Sequence, residues 1–344
     1  MKHKLLFIIF FVGFCLFANN ADAVLTSGDV TLKLAGGDYS TWTGFWNDLG
    51  NLTGDITLTV DDSAFTENTA PADVTESLGG YTLKVTAATF PSTTDGSTGP
   101  RITYNPNNEF LNLQMEGSGA VIIEGIVSTV TSVGSSARHY MFYNIVTTFT
   151  ITLRRNILIQ GLIPLFVWDV TPTYNIYNNI IYDATDSYTY GIRLIGDLTG
   201  FISNNTIVDL SGSTSGTGIL GNGTGTGLWE NNLVHNSQTT DFSTIASYTG
   251  NNNSSYDQTA DDFSTGANNR VGKTADPFTG YASDDFTLAV GSDPIGNGKD
   301  LSGSFTDDFF GNTRSAWDIG AVEYQSGGGG ADFNPRLRKV IIVN

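Results

Sequence analysis

Ile176-Tyr177-Asn178-Asn179-Ile180-Ile181 and Ile202-Ser203-Asn204-Asn205-Thr206-Ile207 are one pattern written twice: an apolar residue, polar residues ending in Asn, then an aliphatic residue. Working outward, Leu153-Arg154-Arg155-Asn156-Ile157-Leu158 and Ile122-Ile123-Glu124-Gly125-Ile126-Val127 precede the pair, and Trp229-Glu230-Asn231-Asn232-Leu233-Val234 follows it. Counted from the last Asn, or from Gly125 in the first copy, the position three before is always apolar. The position two after is Leu, Ile or Val. Successive anchors lie 31, 23, 26 and 27 residues apart. A period in the twenties marks an architecture whose units bury apolar surface only by stacking on their neighbours. The segments between the bends are short and rich in Ile, Val, Tyr and Thr, which makes them strands.

One coil is legible in full. Gly191 to Ile195 reads as a strand, Gly196 to Gly200 as a turn, Phe201 to Ser203 as a second strand, Asn204-Asn205 as a bend and Thr206 to Asp209 as a third strand. The next coil repeats this from Gly218 to His235. Three strands per coil, each paired with its counterpart about 4.8 Å away, predict an all-β chain folded as a right-handed parallel β-helix. Alternation places Leu153/Ile176/Ile202/Trp229 and Leu158/Ile181/Ile207/Val234 inside, with a third inward column of Tyr143, Phe166, Ile192 and Ile219. Asn156, Asn179, Asn205 and Asn232 then stand at the bends, where stacked side-chain amides bond one another along the axis. Asn also tolerates the left-handed backbone that such a bend needs. The repeated Asn pair is therefore architecture before it is a ligand site.

These coils and their Asn-Asn bends resemble right-handed β-helix proteins of the pectin-lyase-like superfamily. Asp307-Asp308-Phe309-Phe310-Gly311-Asn312-Thr313-Arg314, followed by Asp318-Ile319-Gly320-Ala321-Val322-Glu323-Tyr324, looks like the ending of many secreted members. Gly36-Gly37-Asp38-Tyr39-Ser40 is similar to their N-terminal cap. The resemblance covers most of residues 30–324 and implies the fold. Its members include lyases, hydrolases and proteins without assigned activity, so it implies little about chemistry.

Residues 1–23 read as a signal peptide: Lys2 and Lys4, an apolar run from Leu5 to Phe17, and Ala21-Asp22-Ala23 as the cleavage site. Secretion to the exterior or cell surface is expected, and cleavage near Ala23 removes Cys15, leaving no disulfide to hold the domain. Residues 24–324 form the β-helix domain. Within it, 24–109 are the N-terminal cap and irregular coils, 110–237 the regular coils and 238–324 the C-terminal coil and cap; 325–344 are a Gly-rich linker and short basic/apolar tail. Ser40 reads as the N-cap of a short helix that places Trp42, Phe45, Trp46 and Leu49 on one face. That face covers the open end of the solenoid, or else offers rings to a sugar. Asn251-Asn252-Asn253 is a sixth bend without aliphatic partners.

The formal charge is −18, with 16 Lys and Arg scattered among 34 Asp and Glu. That excludes the concentrated basic face needed for nucleic acid or an anionic membrane. The apolar run of the leader is too short for stable membrane insertion. Enzymes of this architecture work on the outer face of the first strand stack, where the outward positions here are Asn144, Val167, Arg193 and Leu220, flanked by Asp169 and Asn222. No acid/base pair of the kind a glycosidase needs falls on adjacent coils. Arg138, His139, Asp169 and Arg193 are the candidates for catalysis; Arg193, Asn144 and Asn222 are the candidates for carbohydrate contact. His235 faces elsewhere. No cofactor is expected; calcium is possible, with Asp307 and Asp308 the candidates among three Asp-Asp-Phe triplets (261–263, 284–286, 307–309), none of which has the spacing of a dedicated calcium loop. The sequence points to a secreted, non-catalytic solenoid presenting an extended surface for carbohydrate or cell-surface contact. The alternatives are a polysaccharide lyase or glycoside hydrolase and a structural envelope or matrix protein.

Overall fold

The computed structural model describes residues 24–325 except 68–73, 105–110, 115–116, 131–137, 144–148, 169–172, 185–188, 197–198, 211–214, 224 and 246. The expected leader and tail lie outside these residues. Three parallel sheets wind into a β-solenoid. A nine-stranded sheet runs from Gly28–Leu32 to Thr249–Asn251, an eight-stranded sheet from Ala64–Glu67 to Ser254–Ser255, and a six-stranded sheet from Leu111–Leu113 to Thr240–Ser243. Within each sheet the strands follow chain order, so the chain climbs one coil at a time. The coil first recognised in sequence consists of Tyr190–Ile195, Thr199–Ser203 and Thr206–Leu210, one strand in each sheet.

Two of the three inward columns stand as expected. Leu153, Ile176, Ile202 and Trp229 are in register across the nine-stranded sheet, and Leu158, Ile181, Ile207 and Val234 across the eight-stranded one. All are buried. The third column is corrected. Tyr140, Leu165, Ile192 and Ile219 share a row, while Phe166 pairs with Arg193 on the outward side and Tyr143 pairs with Trp168. Tyr140 lies sixteen residues before Asn156 and Leu165 fourteen before Asn179, against thirteen for the two later coils. A fixed offset fails because the turn between these two sheets shortens along the solenoid. One residue of slip reverses the face, so Val167, expected outside, is in the core.

The first copy of the repeat is also shifted by one. Leu153 pairs with Ile123, which puts Ile126 rather than Gly125 at the rung. Gly125 instead takes the left-handed position (φ 75°), followed up the stack by Arg155, Asn178, Asn204, Asn231, Asn252 and Asn268. The left-handed residue is thus the one before the anchor, not the anchor itself. Freed of that task, each anchor side chain points along the axis. Asn156 Nδ2 donates to Asn179 Oδ1 at 3.1 Å, Asn179 to Asn205 and Asn205 to Asn232 at 3.0 Å each. Asn253 and Asn269 extend the ladder by two rungs. Each Oδ1 also accepts the backbone N–H of the preceding anchor, and each Nδ2 donates to a carbonyl one coil back. At Asn253 the flanking aliphatic positions hold Gly250 and Ser255, and the ring of Phe263 occupies the space where a Cβ on Gly250 would stand. Gly221 has the same logic: a Cβ there would strike the rings of Trp229 and Tyr248, which stack 4.7 Å apart.

The N-terminal helix spans Trp42–Asp48, and Thr41, not Ser40, caps it by accepting the N–H of Gly44. Ser40 stands one residue too early for that bond. Buried Glu67 takes the N–H groups of Trp42 and Thr43 and the Thr43 hydroxyl, a favourable placement for a carboxylate at a helix start. Trp42, Phe45, Trp46 and Leu49 are all buried in the core, which excludes these rings as a sugar platform.

Candidate functional surfaces

Outward residues of a solenoid line up by register, so distant residues form rows. On the six-stranded sheet one row reads Met141, Phe166, Arg193, Leu220, Ser243. Arg193 lies over its cross-strand neighbour Phe166 at 5.1 Å and over Tyr190 at 4.9 Å. Arg138, from the preceding coil, lies over the same Phe166 ring at 5.0 Å. Two candidates named from sequence therefore meet around one aromatic ring, which no linear reading foresaw because Phe166 was assigned to the interior. A guanidinium over a ring face is worth about 0.5–1 kcal/mol at exposed sites, and Arg138 NH1 also donates to the Met141 sulfur at 2.8 Å. Arg193 enters none of the described ion pairs, and its Nε is buried without a hydrogen-bond partner among the described residues. Asn222 is exposed beside this row, paired with Ile195. Asn144 and Asp169 lie outside the described residues.

His139 leaves the groove edge expected for it. It is fully buried, with Nε2 2.9 Å from the Gln160 carbonyl and Nδ1 2.6 Å from Ser128 Oγ. A carbonyl only accepts, so Nε2 carries the hydrogen and Nδ1 accepts from the serine. Burial lowers its pKa to about 4, against opposing backbone bonds. A neutral, enclosed imidazole cannot reach a polymer on the outer face.

A charged row that sequence reasoning missed runs along the nine-stranded sheet. Thr86, Glu124, Arg154 and Tyr177 are in register. Lys84 Nζ stands 2.8 Å from Glu124 Oε1, Arg154 Nε 2.6 Å from Oε2, and Arg154 NH1 donates to the Tyr177 hydroxyl at 3.1 Å. Burial pushes the Glu124 carboxyl up, but Lys84, Arg154 and Thr86 outweigh it and hold it below its ordinary value. This locked carboxylate is no general acid. Glu230, higher on the same row, is held by Lys299 and Asn251. Asp241 is raised to about 7 by burial and by Asp257, as an acid catalyst requires, yet it has no exposed surface. Alternation of outward residues on adjacent coils was the available signal for the Glu124 row.

Asp307 and Asp308 belong to a clamp. Asp308 accepts from the Asn312 backbone and amide and from the Glu323 N–H, and Asp307 faces Arg155 at 3.8 Å. Arg314, with a fully buried guanidinium, donates to Asn178 Oδ1, Gly320 O and Ala321 O and pairs with Glu323 at 3.3 Å. Among the described residues no group of three or more His, Cys, Asp or Glu is placed to hold a metal ion. None of the described helices is long and apolar enough to cross a membrane. No protein-family model and no curated protein matches the chain.

Proposed function

We propose that this chain is a secreted β-solenoid of the pectin-lyase-like kind that holds an extracellular glycan without cleaving it. The reading joins the leader pattern of residues 1–23 to the arginine–aromatic row on the six-stranded sheet. One observation carries it: Arg138 and Arg193 share the ring of Phe166 in a molecule whose net charge is −18. Guanidinium forks oriented by stacking recognise carboxylates and vicinal hydroxyls by paired hydrogen bonds. Asp241, the carboxylate that the described strands of that sheet carry, is fully buried and cannot reach a polymer as base or proton donor, which supports binding without turnover.

The test is a glycan array combined with a depolymerisation assay on the same polymers. The expected result is binding without chain cleavage, with affinity falling on Arg193→Ala and further on the Arg138→Ala double variant while the melting temperature holds. Cation–ring contacts at such half-buried arginines contribute about 0.5–1 kcal/mol, so a nearly unchanged melting temperature separates contact from scaffold. Full affinity in the double variant, or release of oligosaccharides, contradicts the proposal.

A further inference from the structure

A second site opens on the opposite flank. Outward residues of the eight-stranded sheet from Val127 to Leu233 pack under the chain's C-terminal part, while Ala64 and Thr66 of its first strand are exposed. At the last coils the segments 273–277 and 289–294, with the sheet, line a cavity of about 450 Å³. That is within the usual range for a small-molecule pocket. Leu233 and His235 form part of its wall from one coil and Ser254 from the next, with Lys273, Ala289 and Asp293 across from them.

The chemistry of this wall is specific. His235 is 6 % exposed, its ring set edge-on against Tyr256 at 5.1 Å and against Phe278 and Tyr281 at 5.8 Å each. None of the described hydrogen bonds occupies its ring nitrogens, and neither nitrogen is among the enclosed atoms left without a partner, so both keep accessible surface. Burial lowers its pKa despite Asp276 and Asp209 nearby, so it offers one donor and one acceptor. Lys273 Nζ stands 3.2 Å from Asp293 Oδ1, and Arg270 grips the same carboxylate from outside the cavity with Nε and NH2. With Asp276 in the lining and Asp209 near His235, three carboxylates face one ammonium and one guanidinium. The excess of one negative charge disfavours an anion.

We infer that this cavity binds a neutral, polyhydroxylated ligand of one or two sugar rings. Hydroxyl groups both give and accept, which suits an imidazole, an ammonium and a carboxylate around one cavity. Aliphatic Leu233 and Ala289 suit the C–H faces of the ring. A charged ligand meets its own sign as well as the opposite one. The cavity lies on a different sheet from Arg193 and goes beyond the surface proposed above.

The experiment uses the whole mature chain labelled with ¹⁵N-histidine. His235 and His139 are its two histidines, and His139, enclosed by Ser128 and Gln160, is an internal control. Titration with D-glucose, D-galactose and N-acetyl-D-glucosamine is expected to shift the His235 ring signals saturably with at least one sugar, leaving His139 still. D-galacturonate, the charged arm, is expected to bind more weakly. Ala289→Trp, which fills the cavity from a half-exposed position, should abolish the shift; Arg193→Ala should not alter it. Absence of any His235 shift with the neutral sugars, an equal response to galacturonate, or shifts that survive Ala289→Trp in a folded protein would each overturn the inference.

Discussion

At the scale of single residues, the two members of each Asn pair have different tasks. The second builds the internal ladder; the first holds the left-handed bend and turns its amide outward. Asn178 donates to Asp307 O, Asn204 to Asp318 O and Gly320 O, Asn231 to Lys299 O and Asn252 to Asn297 O. Asn205→Leu is therefore expected to cost on the order of 1–3 kcal/mol, since it leaves the amides of buried neighbours unpaired; a chemical denaturation curve measures it. Asn204→Gly keeps the bend at φ 50° without strain and removes the outward bonds together with the one that Asn231 Nδ2 donates to Asn204 Oδ1. It should cost roughly 1 kcal/mol and expose the C-terminal segment to limited proteolysis. Asp241 gives a pH signature. Its folded pKa of about 7 is above the ordinary 3.8, so its contribution is complete below the ordinary value and is lost as pH rises through about 7. Melting temperatures should fall from pH 5 to pH 8, and Asp241→Asn should flatten that slope. The inner ladder was readable because the same two letters recur. The outward task of the first Asn was not, because its partners lie as far as 136 residues away, for Asn178 and Arg314, in a segment that repeats nothing.

At the scale of elements, the C-terminal segment acts as a strap along the side of the solenoid. Outward Val127, Ile157, Ile180, Val208 and Leu233 form a second apolar cluster with Phe286, Phe309, Ile319, Ala321 and Val322. Arg314 and Glu323 lock it: Glu323 accepts the N–H groups of Ser315, Ala316, Trp317 and Asp318 while pairing with Arg314. The similar ending seen in sequence is thus a fastening, and its carboxylates serve turns. Breaking one partner of a buried pair typically costs about 3–5 kcal/mol. Arg314→Met should approach that range in a thermal melt and detach the strap, and a loss under about 1 kcal/mol would place the pair in solvent instead. At the other end Glu67→Gln should weaken the cap helix by about 1 kcal/mol, read as a lower unfolding midpoint. The strands of the regular coils were legible because alternation is local. The face of the six-stranded sheet was misjudged because turn lengths vary, and the site around Phe166 depended on that register.

At the scale of the whole molecule, the chain replaces disulfides with axial order: an apolar interior stacked column upon column, one amide ladder through the bends, an aromatic cap and a lateral strap. The outer faces are thereby free to differ, with an arginine–aromatic row on one sheet and a locked ion network on another. The claim on which this architecture rests is that the anchor amides are enclosed and bonded from coil to coil. Native-state hydrogen exchange tests it directly at Asn156, Asn179, Asn205 and Asn232, whose N–H groups donate to the next rung. These four amides, though they sit at bends, are expected to exchange only through global unfolding, with protection equal to that of Ile181 and Ile207 in the adjoining strands. Exchange at the rate of exposed turns, with the strands still protected, would contradict it.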